Sequence, residues 1–124
     1  MTDKVVDASA LAAIAFQEPG EDDVRAQLRK HHWRAPSILP YQMANVCRKK
    51  MRLSPDKRTL VFDQFIASLD VPIQLHDVTF GEVVELAILH NLSAYDASYL
   101  WLARNLDIEL VTLDEKLQKA ARAI

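Results

Sequence analysis

Three aspartates stand where the chain changes from one kind of element to another. Asp7 follows the β-branched pair Val5-Val6, Asp114 comes shortly after Leu110-Val111, and Asp96 lies just inside an apolar-periodic run that opens at Ser93. An aspartate at such a junction has an everyday role as a helix N-cap. It also stands on the rim of a sheet, and in open α/β sheets that rim is where ligands bind. Carboxylates gathered in one place repel each other and raise each other's pKa unless a cation neutralises them. Hard divalent ions such as Mg²⁺ and Mn²⁺ accept oxygen ligands and keep several waters. An ion of that kind can orient a phosphodiester, stabilise its developing charge and lower the pKa of an attacking water. Metal-assisted hydrolysis is thus the chemistry these three acids could perform, provided the fold brings them together.

The elements that must do so alternate along the chain. Val5-Val6 reads as a buried strand, followed by a short apolar helix over Ala8 to Phe16 that Pro19-Gly20 breaks. Glu21, Asp22 and Asp23 open a second helix to about Lys30, with acids in its first turn and Arg29 and Lys30 in its last, as the helix dipole favours. Trp33 to Ser37 reads as a second strand. Pro40 then begins a helix to about Met51, whose positions Leu39, Met43, Val46 and Cys47 form an apolar face. Ser54-Pro55 predicts an N-cap and N1 for a helix to about Leu69, and Val71 to Leu75 a short strand. Thr79 and Glu82 have capping-box spacing ahead of a helix to His90, which Asn91 stops. Ser93 starts a helix carrying Tyr95, Tyr99, Leu102 and Leu106 on its apolar row, with Asp96 on the adjoining row. Glu109-Leu110-Val111 is the last strand, and Thr112 and Glu115, again at capping-box spacing, lead into a helix to about Ala121. Strands alternating with helices in this way argue for a parallel sheet with helices on both faces. The C-terminal strand ends of a parallel sheet share one edge, so Asp7 and Asp114 are expected to face one crevice.

Composition narrows the options. A chain of 124 residues, half of them hydrophobic, is expected to be one domain over 1–124. No apolar run reaches the roughly 20 residues of a membrane span, and nothing at the N-terminus resembles a signal peptide. Cys47 is the single cysteine, so an internal disulfide is impossible and a reducing cytoplasm is expected. Gly20 and Gly81 are the only glycines, too few for a GxGxxG fingerprint or a P-loop. With 15 Lys and Arg against 17 Asp and Glu, the net charge of −2 offers no whole-chain basic field for nucleic acid. Contact with a nucleic acid would have to rest on metal ions or a local patch, for which Arg48, Lys49 and Lys50 are the candidates, with dipole complementarity and a solvated face as the plainer account. His31-His32 read as surface histidines rather than a metal pair.

Four segments together resemble the PIN-domain family. They are Val5-Val6-Asp7-Ala8-Ser9-Ala10-Leu11, then Ala35 to Val46 around Leu39-Pro40-Tyr41-Gln42-Met43, then Leu92 to Ala103 around Tyr95-Asp96-Ala97, and Leu110 to Leu117 around Thr112-Leu113-Asp114. Among PIN domains the chain is most similar to VapC-type toxins of toxin–antitoxin pairs. The resemblance implies a three-layer α/β/α sandwich around a central parallel sheet. It implies an endoribonuclease dependent on Mg²⁺ or Mn²⁺, a homodimer, and a cognate VapB-type antitoxin that inserts a segment into the cleft. Carried over by position, Asp7, Asp96 and Asp114 are the implied metal-binding acids, the last directly or through water. Ser9 and Thr112 are hydroxyls that would orient them.

Gln42 departs from the family pattern, which has Glu there. Gln keeps the shape but is neutral and offers a single acceptor oxygen. The substitution leaves three accounts open: an engineered inactive variant, a natural weakened nuclease, or a module that binds an antitoxin or RNA without turnover. A phosphoacceptor receiver domain has a similar size and strand-end acids, but needs a Lys after its last strand where Thr112-Leu113-Asp114 stand, and ranks below the nuclease and the binding module. Apolar residues in the N-terminal helices are read as compatible with a dimer interface.

Overall fold

A computed structural model describes residues 2–123. Strands β1 (Asp3–Val6), β2 (His32–Pro36), β3 (Ile73–His76) and β4 (Glu109–Val111) form one sheet in the order β3-β2-β1-β4, every pair parallel. The helices are α1 (Ala8–Ala15), α2 (Glu21–Leu28), α3 (Leu39–Leu53), α4 (Arg58–Leu69), α5 (Phe80–His90), α6 (Ala94–Leu106) and α7 (Glu115–Arg122). Successive strand residues point to opposite faces, and Val5 and Val6 are both fully buried, so each face of β1 is covered. One layer packs α6 over β1 and β2 with α5 beside it; α1, α3 and α4 pack together in the other, where Leu11, Leu39 and Met43 are buried. The sheet is thus the middle of three layers, as expected.

The strand order explains where the site lies. The chain moves outward from β1 through β2 to β3, then returns across the sheet to β4 on the other side of β1. Right-handed crossovers put the helices of the outward and return paths on opposite faces. The reversal leaves a crevice between β1 and β4 at their C-terminal ends. Val6 pairs with Val111 in the register, so the next residues, Asp7 and Thr112, emerge side by side at the mouth of that crevice.

Several helix starts differ from expectation. Asp114, not Thr112, caps α7, and its carboxylate accepts from Leu117 N at 2.8 Å. Thr79 makes no side-chain cap bond. Ser54 ends α3 instead of capping α4; Pro55–Lys57 form a single 3₁₀ turn, and α4 begins at Arg58. A proline there sets φ for a tight turn as readily as for a helix N1 position. Asn91 stops α5 in the left-handed conformation, as expected. Exposed apolar side chains are not on the N-terminal helices. α1 buries Ala10 to Ile14, whereas Leu60, Phe62, Ile66 and Leu69 on α4 and Phe80, Val84 and Ile88 on α5 face solvent. Among the described residues no helix is long and apolar enough to cross a membrane.

Candidate active site

Asp7 is the centre of a small hydrogen-bonded assembly. It is 4% exposed and caps α1, accepting from Ala10 N at 2.9 Å through Oδ1. Ser9 Oγ donates to the same oxygen at 2.8 Å, and Thr112 Oγ1 donates to Oδ2 at 2.5 Å. One carboxylate oxygen thus serves the cap while the other is held by the opposite strand. The two hydroxyls also brace the opposite strand. Ser9 Oγ accepts from Leu113 N at 3.0 Å, and Thr112 Oγ1 from Asp114 N at 3.0 Å. Gln118 closes the loop by donating to the Thr112 carbonyl at 2.7 Å. Gly20 supports it from outside: its φ of 94° is left-handed, and a Cβ there would stand 2.9 Å from Leu113 Cδ1.

Asp96 lies within electrostatic reach of both Asp7 and Asp114. Burial pushes the Asp7 carboxyl up, the three hydrogen bonds pull it partly back, and Asp96 pushes it up again. Burial and Asp114 raise Asp96, against lowering by Ser93 and Lys116. Asp96 reaches the crevice from the first turn of α6, whose N-cap Ser93 accepts from Asp96 N at 3.0 Å. The Ser93 hydroxyl thus serves Asp96 both as helix cap and as a group that favours its charged form, and one oxygen of Asp114 is free of the capping bond to Leu117.

Gln42 enters from the first turn of α3. Its Oε1 accepts the Tyr99 hydroxyl proton at 2.5 Å. Tyr99 is 1% exposed, so it is core, as its place on the apolar row of α6 predicts. Its hydroxyl also holds Gln42, which the apolar spacing does not reveal. The only signal was that this core position carries a phenol, which needs a partner when buried. Burial first, then Asp7 and Asp96, keep that hydroxyl protonated.

Among the described residues no three His, Cys, Asp or Glu side chains are grouped so that all could hold one ion. Asp7 Oδ1 already accepts two protons, which leaves Oδ2 with one free lone pair. The arrangement does not fit a dehydrated three-carboxylate cage. It fits a hydrated Mg²⁺ or Mn²⁺, which one or two carboxylates suffice to hold.

The basic candidates separate. Lys50 is not free: its ammonium pairs with Glu18 and lies 5.1 Å from the Phe16 ring centroid. Arg48 turns toward a groove between α3 and α4 with Met51, Arg58, Phe62 and Phe65. Lys49 is exposed and lies two helical turns beyond Gln42, nearly on the same row. His31 is occupied by Thr2, with Nδ1 2.7 Å from its hydroxyl and 3.0 Å from its carbonyl, rather than paired with His32. A cavity of about 680 Å³ runs beside β4 between α2, α6 and α7 and reaches Thr112 and Gln118. None of the three acids lines it.

Sequence comparison adds the decisive observation: the PIN domain model matches residues 4–123. The chain belongs to the PIN-domain family. This PIN domain is 29% identical over 128 residues to ribonuclease VapC3 of Pyrobaculum aerophilum, covering 97% of this chain and 95% of that protein. It also superposes on the crystal structure of PAE2754 from Pyrobaculum aerophilum with a TM-score of 0.79 and 25% identity, over 98% of this chain and 81% of that one.

Proposed function

We propose that this PIN domain is a metal-dependent endoribonuclease that hydrolyses RNA phosphodiesters and acts as the toxin of a toxin–antitoxin pair. One observation carries the reading: Asp7 and Asp114, remote in sequence, are tied together through the Thr112 hydroxyl at the ends of β1 and β4, and Asp96 lies near enough to raise Asp7 and to be raised by Asp114. The similarity to a protein named ribonuclease VapC3 supports it. Asp7, held by Ser9, Thr112 and Ala10 N, is the fixed anchor. Asp96, less buried than Asp7, is the acid most available to a cation and its waters. Asp114 offers its open oxygen to the water shell. When bound, Mg²⁺ or Mn²⁺ supplies charge stabilisation and a more acidic water. Lys49 is the candidate RNA backbone contact. The same proposal includes a homodimer, a VapB-type antitoxin with a segment in the crevice, and work in the cytoplasm.

The test is RNA cleavage with Mg²⁺ or Mn²⁺ by this chain and by Gln42→Glu. Cleavage by Gln42→Glu, abolished by adding Asp7→Asn, is the expected result. Inactivity of Gln42→Glu on every RNA tried, with Mn²⁺ binding and stability indifferent to Asp7→Asn, overturns the proposal. A second reading, a module that holds an antitoxin or RNA without turnover, is favoured by the engagement of Gln42 with Tyr99. Tight capture of an Arg-bearing peptide, with no metal uptake even after Gln42→Glu, would select it.

A further inference from the structure

Tyr99 and Gln42 meet in an orientation that has a chemical consequence. The Tyr99 hydroxyl is the buried end of a core side chain, and Gln42 Oε1 is its sole hydrogen-bond partner among the described residues. A phenol carries one proton, and stranding it in a buried place costs more than the net worth of an average hydrogen bond. Were the amide turned over, Nε2 would face the phenol oxygen and the phenolic proton would have no acceptor. The pairing therefore selects one amide orientation. Oε1 is committed to Tyr99, and the two N–H groups of Nε2 are left without a partner among the described residues. Because Gln42 is only partly buried, those donors are open to solvent. Asp7 and Asp96 are both close enough to act on the Tyr99 hydroxyl that holds Gln42. A cation is a poor guest for an N–H dipole; an anionic oxygen is a good one.

We propose that Tyr99 is a positioning residue that locks Gln42 as a hydrogen-bond donor, and that the group Gln42 receives is a non-bridging oxygen of a backbone phosphate. The identity of the ligand as an RNA phosphodiester rests on the nuclease reading above; the donor orientation does not. In this arrangement the crevice divides its labour. Asp7, Asp96 and Asp114 face the cation, while Gln42 faces the phosphate that the acids would otherwise repel. Gln42 is then not a metal ligand whose charge has been lost but a neutral grip on the substrate.

Two titrations on the full chain test this. One is Mn²⁺ alone, by calorimetry. The other is a mixed-sequence 2′-O-methyl oligoribonucleotide, by fluorescence anisotropy in EDTA, so that no metal contributes. Tyr99→Phe, isosteric and apolar, is expected to weaken oligonucleotide binding roughly five- to tenfold, the scale of one ordinary hydrogen bond, without weakening Mn²⁺ binding. Gln42→Leu is expected to weaken the oligonucleotide similarly. Gln42→Glu is expected to weaken it further and to tighten Mn²⁺ about tenfold. A purely structural role for Tyr99 would not separate the two ligands in this way. The proposal is overturned if the parent chain does not bind the oligonucleotide, if Tyr99→Phe or Gln42→Leu binds it like the parent, or if Tyr99→Phe loses Mn²⁺ affinity as Asp7→Asn does. Unchanged Mn²⁺ affinity in Asp7→Asn would instead undo the metal-nuclease reading, and leaves the comparison in EDTA standing.

Discussion

Thr112 donates its hydroxyl proton to Asp7 Oδ2 at 2.5 Å across 105 residues of chain. That bond joins the ends of β1 and β4 at the point where the strand order reverses. The same hydroxyl oxygen receives Asp114 N, so one side chain couples two of the three acids. Thr112→Val keeps the shape and removes both bonds. The expected outcome is a loss of roughly 1–3 kcal/mol in urea-induced unfolding, since Asp7 would lose a donor while buried. RNA cleavage by the Gln42→Glu background should fall at least tenfold alongside. Thr112→Ser, which retains the hydroxyl, should recover most of both.

Asp7 is ionised at a cost. Burial raises its folded-state pKa above that of the unfolded chain, so the native state binds more protons in between. The stability associated with this group is present at low pH and declines as pH rises from the unfolded value through the folded one. Asp7→Asn, a neutral side chain that also caps helices well, should therefore be more stable than the parent at pH 7, by about 1 kcal/mol. The advantage should shrink as pH falls below the carboxylate range, where Asp7 is protonated in both states. Urea midpoints at pH 7 and at low pH measure it, and a parent chain that gains relative to Asp7→Asn with rising pH would contradict it.

Asp114 has two separable duties. Its capping bond to Leu117 N belongs to α7, and its open oxygen belongs to the crevice. Asp114→Ser preserves a cap and removes the charge; Asp114→Ala removes both. Thermal unfolding should place Asp114→Ser within a few tenths of a kcal/mol of the parent and Asp114→Ala about 1 kcal/mol below it. Cleavage in the Gln42→Glu background should fall in both.

Lys49 and Lys50 are adjacent but should respond differently. Lys49→Ala is expected to reduce the salt dependence of RNA binding by about 0.7 in log–log slope, the share of one phosphate contact on a single strand. Lys50→Ala breaks the pairing with Glu18 and the contact with Phe16, and should lower stability by about 1 kcal/mol without changing that slope.

On α5 the exposed row Phe80, Val84 and Ile88 is the surface to test for dimerisation. Ile88→Glu places a charge in that row and should leave a monomer in sedimentation velocity with the fold's far-ultraviolet spectrum intact. A parent chain that is already monomeric, or a dimer unaffected by the change, would exclude this face.

Much of this architecture was legible in the chain. Val5-Val6 and Leu110-Val111 announced strands because β-branched apolar pairs suit a sheet covered on both faces, and Asp7 and Asp114 followed from their ends. What was not legible depended on tertiary neighbours. Thr112 has the spacing of a helix cap, and local sequence does not reveal that Asp7 will claim its proton. Tyr99 has the periodicity of a core residue, which it is; its second role exists only because α3 brings Gln42 within reach. Lys50 sits in a basic run, and nothing near it in sequence foretells Glu18. Local spacing reports which face a side chain takes, not which distant group waits there.

The sheet ends on one side in β4, only three residues long, and on the other in β3, which Pro72 precedes. Glu109 on β4 is exposed and charged, and the carbonyl just past the strand is already claimed by Gln118. Short, charged or blunted margins give a stray extended chain little to add to. A molecule arranged in this way resists growing into fibres when concentrated, even though its central strands are among the most apolar stretches it has.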